Sequence, residues 1–162
     1  MKRFFCLLLC LCLFLPGCSG ELMKNPVTFY YPRQEYQYGA EDGVISSEQR
    51  EASGHADDLH YLLSLYLIGP SSDELVSPLP WGTRLLGVNR QDGTITLELT
   101  DTSFTMTDTE FTLACACLTM TTLSITGGDE VTITSGSRSV TMSRDSLTLI
   151  DDSTASTTEE TK

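Results

Sequence analysis

The chain has 162 residues, a length typical of one domain, and 40% of them are apolar, which suffices for a buried core. Its formal net charge is −12. This acidic balance argues against nucleic acid as a partner, since phosphates require a basic surface, and it leaves no polybasic patch for anionic lipid.

The first residues predict a signal peptide. Lys2 and Arg3 precede an apolar run from Phe4 to Leu15. A helix of that length extends about 18 Å, which is too short to cross about 30 Å of hydrocarbon. Residues 1–17 are therefore predicted to be removed rather than to span the membrane.

The sequence Leu15-Pro16-Gly17-Cys18 resembles a bacterial lipobox. The resemblance implies cleavage between Gly17 and Cys18 and attachment of a diacylglyceryl group, with fatty acids such as palmitate, to Cys18. Residues 18–26 would then form a lipidated tether on the extracytoplasmic face of a bacterial cell membrane. The alternative is a plain secretory signal with an incidental cysteine.

Two strands are predicted before the first helix. The β-branched and aromatic run Val27–Pro32 predicts the first, and Val44–Arg50 the second, with a polar loop over residues 34–43. The aromatic residues of this region have two interpretations, core packing and a stacking surface for a sugar or peptide. Core packing is favoured because no cleft is evident from the sequence.

The central helix, over residues 59–67, organises the rest of the chain. Apolar side chains recur at positions i, i+3, i+4, i+7 and i+8, namely Leu59, Leu62, Leu63, Tyr66 and Leu67. Gly69 and Pro70 end the helix, because glycine accepts a left-handed turn and proline cannot continue the hydrogen bonding.

The same helix has more apolar side chains than one core contact needs. Tyr61, Leu65 and Ile68 lie beside its narrow polar face. Two interpretations stay open: a helix buried on most sides, or a helix that presents these three side chains to a partner protein.

Local signals also organise the second half of the chain. Asp92-Gly93 separates two strand-like runs, 84–89 and 94–100, and predicts a β-hairpin. Thr107 and Glu110 form a capping box, which predicts a helix that runs to about Thr122.

The remaining elements complete an α+β fold. Residues 131–133 and 140–142 predict closing strands, residues 147–150 are a candidate for another, and residues 151–162 predict a disordered acidic tail rich in serine and threonine. The predicted order is β-β-α-β-β-α-β, with one or two added strands, and both helices are expected to pack on one sheet.

No motif predicts catalysis, a metal or a cofactor. Residues 127–130 begin like the signature of diguanylate cyclases, but that signature needs phenylalanine where Val131 stands. His55 and His60 share no helix face. Since no phosphate-binding loop and no serine-hydrolase or zinc-protease motif occurs, neither a nucleotide nor a metal is expected.

Two cysteines lie in the second predicted helix. Cys115 and Cys117 point about 200° apart on such a helix, so they cannot share a metal ion or bond to each other. They are predicted to be small core residues.

The segment after the central helix carries a family resemblance. A helix followed by Gly-Pro, a variable turn, and then Pro-x-Gly-Thr before a strand resembles the sporulation and spore germination (GerMN) domain, over roughly residues 27–150. The matching residues are Gly69, Pro70, Leu75, Pro80, Gly82 and Thr83. Glu48-x-Arg50 is similar to the family's pattern before the first helix. The resemblance implies a small α/β sandwich related to the ring-building modules of envelope secretion machines.

The resemblance and the signal peptide together give an expected function. We expect a non-catalytic envelope lipoprotein that binds another envelope protein, in sporulation or spore germination. The alternative is a ligand-binding or sensor-associated lipoprotein, which would have a pocket lined by the aromatic residues. A third possibility, a hydrolase, would have histidine or carboxylate groups that converge in a cleft.

Replacing Cys18 with serine should leave an unprocessed precursor without lipid, because the lipobox supplies only the Cys18 thiol for acylation. Metabolic labelling with a fatty acid measures this directly. Label retained on the variant would contradict the assignment. Membrane fractionation alone does not decide it, since the uncut apolar segment can hold the precursor in the membrane.

Overall fold

A computed structural model describes residues 23–36, 43–52 and 54–147. Its elements, in chain order, are β1 (Pro26–Pro32), β2 (Ile45–Glu51), α1 (Leu59–Leu67), β3 (Leu85–Gln91), β4 (Thr94–Leu99), α2 (Asp108–Thr126), β5 (Glu130–Ser135), β6 (Arg138–Ser143) and a short 3₁₀ helix (Asp145–Leu147). The α+β class and the predicted order, with one added strand, are confirmed. The predicted signal peptide, Cys18, residues 148–150 and the predicted tail lie outside the described residues.

The prediction of a single sheet is wrong. β1 and β2 form a two-stranded antiparallel sheet, and a four-stranded sheet has the order β3-β4-β5-β6. The reason lies at the free edge of β1, which α2 covers. The backbone N–H of Tyr30 donates to the Thr121 hydroxyl at 2.9 Å, and the Ser124 hydroxyl donates to the carbonyl of Thr28 at 2.9 Å. Side chains of a helix thus occupy edge groups that another strand would have used.

The four-stranded sheet combines two hairpins around a parallel pair. β3 and β4 are antiparallel and meet at Asp92-Gly93, both with positive φ, which confirms the predicted hairpin. β4 and β5 are parallel, and α2 connects them. On β4 the side chains of Ile95, Leu97 and Leu99 are buried, as the alternating pattern predicted.

The second helix begins and ends at identifiable residues. Thr107 and Glu110 form the predicted capping box. The helix continues to Thr126, one turn beyond the predicted end. The Thr122 and Thr126 hydroxyls donate to carbonyls one turn back, so these polar side chains are satisfied within the helix. Gly127, with φ of 65°, ends it in the left-handed conformation.

Among the described residues, neither helix is both long enough and apolar enough to span a membrane.

The side chains of Glu48 and Arg50 connect β2 to the loop that follows α1. Glu48 accepts hydrogen bonds from the backbone N–H groups of Ser71 at 2.9 Å and Ser72 at 3.1 Å. Arg50 donates to Glu48 at 2.7 Å and to the carbonyl of Gly69. Both charged side chains are largely buried, so this ion pair fixes the loop after α1 and is not a solvent-exposed surface pair.

Replacing Glu48 with glutamine should lower the free energy of unfolding by about 1–3 kcal/mol, because a neutral amide would replace the carboxylate that two backbone N–H groups and Arg50 share. Urea denaturation followed by circular dichroism measures the change. Glu51→Gln is the matched control, since it makes the same charge change at an exposed end of β2 and should cost no more than about 0.5 kcal/mol. Equal midpoints for the two variants would contradict the role assigned to Glu48.

Candidate functional site

The structure separates the three side chains predicted as a partner surface on α1. Ile68, at the helix end, is 80% exposed, and Tyr61 is partly exposed and stacks on the His55 ring with centroids 4.2 Å apart. Leu65 instead packs against the core. The helix thus presents two of the three apolar side chains to solvent, and their role in partner binding stays a prediction.

The second part of the family motif forms a turn that displays the chain's only tryptophan. Thr83 donates to the carbonyl of Pro80 through its backbone N–H at 3.1 Å and its hydroxyl at 2.7 Å. Gly82 has φ of 89°, which the third position of such a turn requires. Trp81 stands between them at the tip, and its side chain is fully exposed.

A second turn displays Phe104, which is 96% exposed. The backbone N–H of Thr105 donates to the carbonyl of Thr102 at 3.1 Å. Thr102 is buried, and both its backbone N–H and its hydroxyl bond to the Ser135 hydroxyl at 2.9 Å. Arg138 adds a hydrogen bond to the Thr102 hydroxyl, so the base of the turn is held firmly against β5 and β6.

An apolar groove of about 370 Å³ lies where the chain segments of these two turns meet the start of α2. Its lining residues are Pro32, Tyr36, Val76, Ser77, Pro78, Leu79, Pro80, Thr105, Met106, Glu110 and Leu113. Trp81 follows one lining residue in the chain, and Phe104 precedes another. We call these lining residues, with Trp81 and Phe104, the aromatic groove.

The exposed charges around the aromatic groove are mostly acidic. Glu110 lines it, and hydrogen bonds from the backbone N–H and hydroxyl of Thr107 hold the pKa of Glu110 below its usual value. Asp108 is exposed nearby on the same helix turn. Arg138 is 17% exposed, lies over the Phe111 ring 4.2 Å from its centroid, and forms an ion pair with Asp108, with Nη1 and Oδ1 3.8 Å apart.

A neighbouring depression continues this acidic character. The backbone N–H of Gln34 donates to the carbonyl of Glu74 at 2.8 Å, so residues 33–36 run alongside residues 73–76. The depression is lined by the acidic residues Glu35, Asp73 and Glu74, together with the basic residue Arg33.

The aromatic residues of β1 divide between the core, which takes Phe29 and Tyr31, and a cavity, which Tyr30 lines. Phe29, Tyr31 and Tyr66 pack against one another in the core, as core packing predicted, with Tyr31 and Tyr66 stacked at 4.6 Å. The cavity, of about 250 Å³, is lined by Tyr30, Met120, Leu123, Ser124, Arg144 and Leu147.

The candidate groups for chemistry do not converge in the part of the chain that the structure describes. No set of three histidine, cysteine or acidic side chains there could hold a metal ion. Burial raises the pKa of the Cys115 and Cys117 thiols to about 12, which suits the small core residues that were predicted. Within residues 127–130, the carbonyls of Gly128 and Asp129 accept hydrogen bonds from Arg144.

Sequence reasoning missed Trp81 and Phe104 as surface features. The signal was present for Trp81, since a tryptophan between two turn-forming residues, proline and glycine, has few ways to reach a core. For Phe104 the signal is weaker, because only the surrounding run of threonine, serine and aspartate points to a loop.

The family model for sporulation and spore germination, named Germane, matches residues 28–141. Among solved structures, the tandem GerMN domains of the sporulation protein GerM from Bacillus subtilis are similar, with 18% identity and a TM-score of 0.50. That match covers 70% of this chain and 39% of the tandem structure, so the chain spans about two-fifths of that protein. At this identity the likeness shows the fold alone.

A structure titled "Putative Lipoprotein from Clostridium perfringens" has 16% identity and a TM-score of 0.47, over 74% of this chain and 87% of that one. No curated protein sequence is significantly similar to the chain. The GerMN family is not known as an enzyme family. Because the family model covers well over half of its residues, the chain belongs to the sporulation and spore germination (GerMN) family.

Proposed function

We propose that this chain is a lipid-anchored protein of the extracytoplasmic face of the bacterial membrane, and that it acts without catalysis by binding another envelope protein in sporulation or spore germination. The observation that carries the proposal is the display of three large apolar side chains in solvent. Ile68, Trp81 and Phe104 are each at least 80% exposed. Large aromatic and aliphatic side chains displayed in solvent on ordered elements often serve as anchors in protein-binding surfaces.

Trp81 and Phe104 are both carried on ordered turns. Trp81 projects from a hydrogen-bonded turn, and Phe104 from a turn whose first residue is buried. Because the backbone of each turn is already ordered, little backbone freedom is lost when a partner covers these side chains, which favours binding. Aromatic residues also supply a large part of the binding energy in many interfaces.

The lipobox supports the membrane location. Seven residues lie between Cys18 and Pro26, where β1 begins, so eight Cα–Cα steps join them. Fully extended, that tether reaches at most about 29 Å. A lipid on Cys18 would therefore keep the domain close to the membrane surface, within reach of other membrane and envelope proteins.

Ile68→Ser should leave the melting temperature nearly unchanged and reduce the amount of a partner that co-purifies with the full-length chain, because Ile68 is exposed and packs on little of the core. The measurement is affinity purification from detergent-solubilised membranes of sporulating and vegetative cells, with thermal denaturation of each variant. Leu65→Ser is the contrast. It changes a leucine one turn away that packs against the core, so it should lower stability by about 1–3 kcal/mol.

The purification also tests the proposed function as a whole. If the chain purifies from the membranes of both cell types without another protein in a comparable molar amount, a protein-binding role is contradicted. An Ile68→Ser variant that keeps its stability and its full complement of partner would exclude the end of α1 from the interface.

A further inference from the structure

We infer that the aromatic groove binds an extended, basic segment of another envelope protein. This inference rests on the proposed protein-binding function and adds the site and the chemistry of the partner. Two properties support it: the largely apolar lining of the groove, next to turns that carry Trp81 and Phe104, and the acidic charges that surround it.

The lining suits an extended peptide. Three of the lining residues are prolines and one is a tyrosine, and Trp81 and Phe104 stand beside it on turns. An extended segment suits such a surface, because apolar and aromatic side chains in a groove offer flat contact without requiring a strand or helix in the ligand. The volume of about 370 Å³ accommodates a few side chains rather than a folded domain.

The charge decides the kind of segment. Glu110 lines the groove, and the adjoining depression contributes Glu35, Asp73 and Glu74. Asp108, exposed beside the groove, is paired with Arg138. Arg33 is the counter-charge in the depression, which leaves the surroundings acidic. Lysine and arginine side chains of a partner would be attracted to this rim, whereas acidic segments would be repelled.

The same charge disfavours the other occupants. A second copy of the chain also has a formal net charge of −12, so two copies repel each other at long range. An anionic lipid surface or a polymer of phosphates meets the same acidic rim. A basic protein segment satisfies both the apolar lining and the charge.

The position of the groove leaves it accessible. Pro26, at the start of β1, adjoins the tether, and Pro32, at its other end, lines the groove. Pro26 and Pro32 are six residue rises apart along the strand, about 20 Å. The groove therefore opens at the end of β1 that is remote from the proposed membrane attachment.

The experiment is photo-crosslinking in cells with the full-length chain. p-Benzoylphenylalanine is placed at position 81 or 104 and, as a matched exposed position on the four-stranded sheet, at position 86, where Leu86 is 57% exposed. The captured peptide is identified by mass spectrometry. We expect positions 81 and 104 to capture one segment of a second protein with a net positive charge, and position 86 not to capture it.

Charge reversal then tests the acidic rim. Glu35→Lys with Glu74→Lys should reduce the crosslinking yield at position 81 at least about tenfold, because each like charge beside a basic segment is costly. Glu51→Lys with Glu98→Lys is the control, since it makes the same charge change at exposed positions of β2 and β4 and should leave the yield unchanged.

Several results would overturn the inference. Crosslinks to lipid, to a second copy of the chain, or to a neutral or acidic segment would each do so, as would equal yields for the two charge-reversed variants. The crosslinker is also placed at position 68: crosslinks to a partner from there but not from 81 or 104 would overturn the groove as the site and leave the proposed function standing. Absence of a partner in the membrane purification would contradict both this inference and the proposed protein-binding function.

Discussion

A stacked pair of tyrosines joins the sheet of β1 and β2, the first half of this domain, to α1, which belongs with α2 and the four-stranded sheet to the second half. The rings of Tyr31 on β1 and Tyr66 on α1 lie 4.6 Å apart and nearly parallel. The Tyr31 hydroxyl donates to the carbonyl of Tyr66 at 2.9 Å, and the Tyr66 hydroxyl donates to the carbonyl of Tyr30 at 3.0 Å. Burial raises the pKa of both phenols, so both hydroxyls stay protonated and donate. Each bond contributes about 1 kcal/mol, and the stacking a similar amount.

The sheet of β1 and β2 depends on these contacts, because an isolated two-stranded sheet is only marginally stable in water. The tyrosine pair joins it to α1, and α2 covers its free edge through Thr121 and Ser124. The aromatic groove in turn needs both halves. Pro32 belongs to the first, whereas Met106 and Leu113 come from the segment that leads into α2 and from α2 itself. A partner segment bound there would therefore contact a surface that exists only when the halves are assembled.

The sequence predicted what local chemistry decides. The capping box at Thr107, the hairpin at Asp92 and the helix end at Gly69 each depend on a few neighbouring residues, and all three are present in the structure. The division into two sheets depends on Thr121 and Ser124, about 90 residues away from β1 in the chain, and no local pattern encodes such a contact. Whether a helix side chain is exposed also depends on tertiary contacts that no local pattern encodes. Leu65 and Ile68 were equivalent on the predicted helix, but only the structure shows that Leu65 packs against the core.

Native-state hydrogen exchange tests most directly whether the two sheets form one cooperative unit, on which both the fold and the aromatic groove depend. The account predicts that the slowest amides of β1 and β2 exchange with the same opening free energy as those of β4 and β5, since the tyrosine pair and α2 couple them. The contrary result is an opening free energy for the β1 and β2 amides that is several kcal/mol lower than that of the β4 and β5 amides. The two halves would then open independently, which would contradict the account.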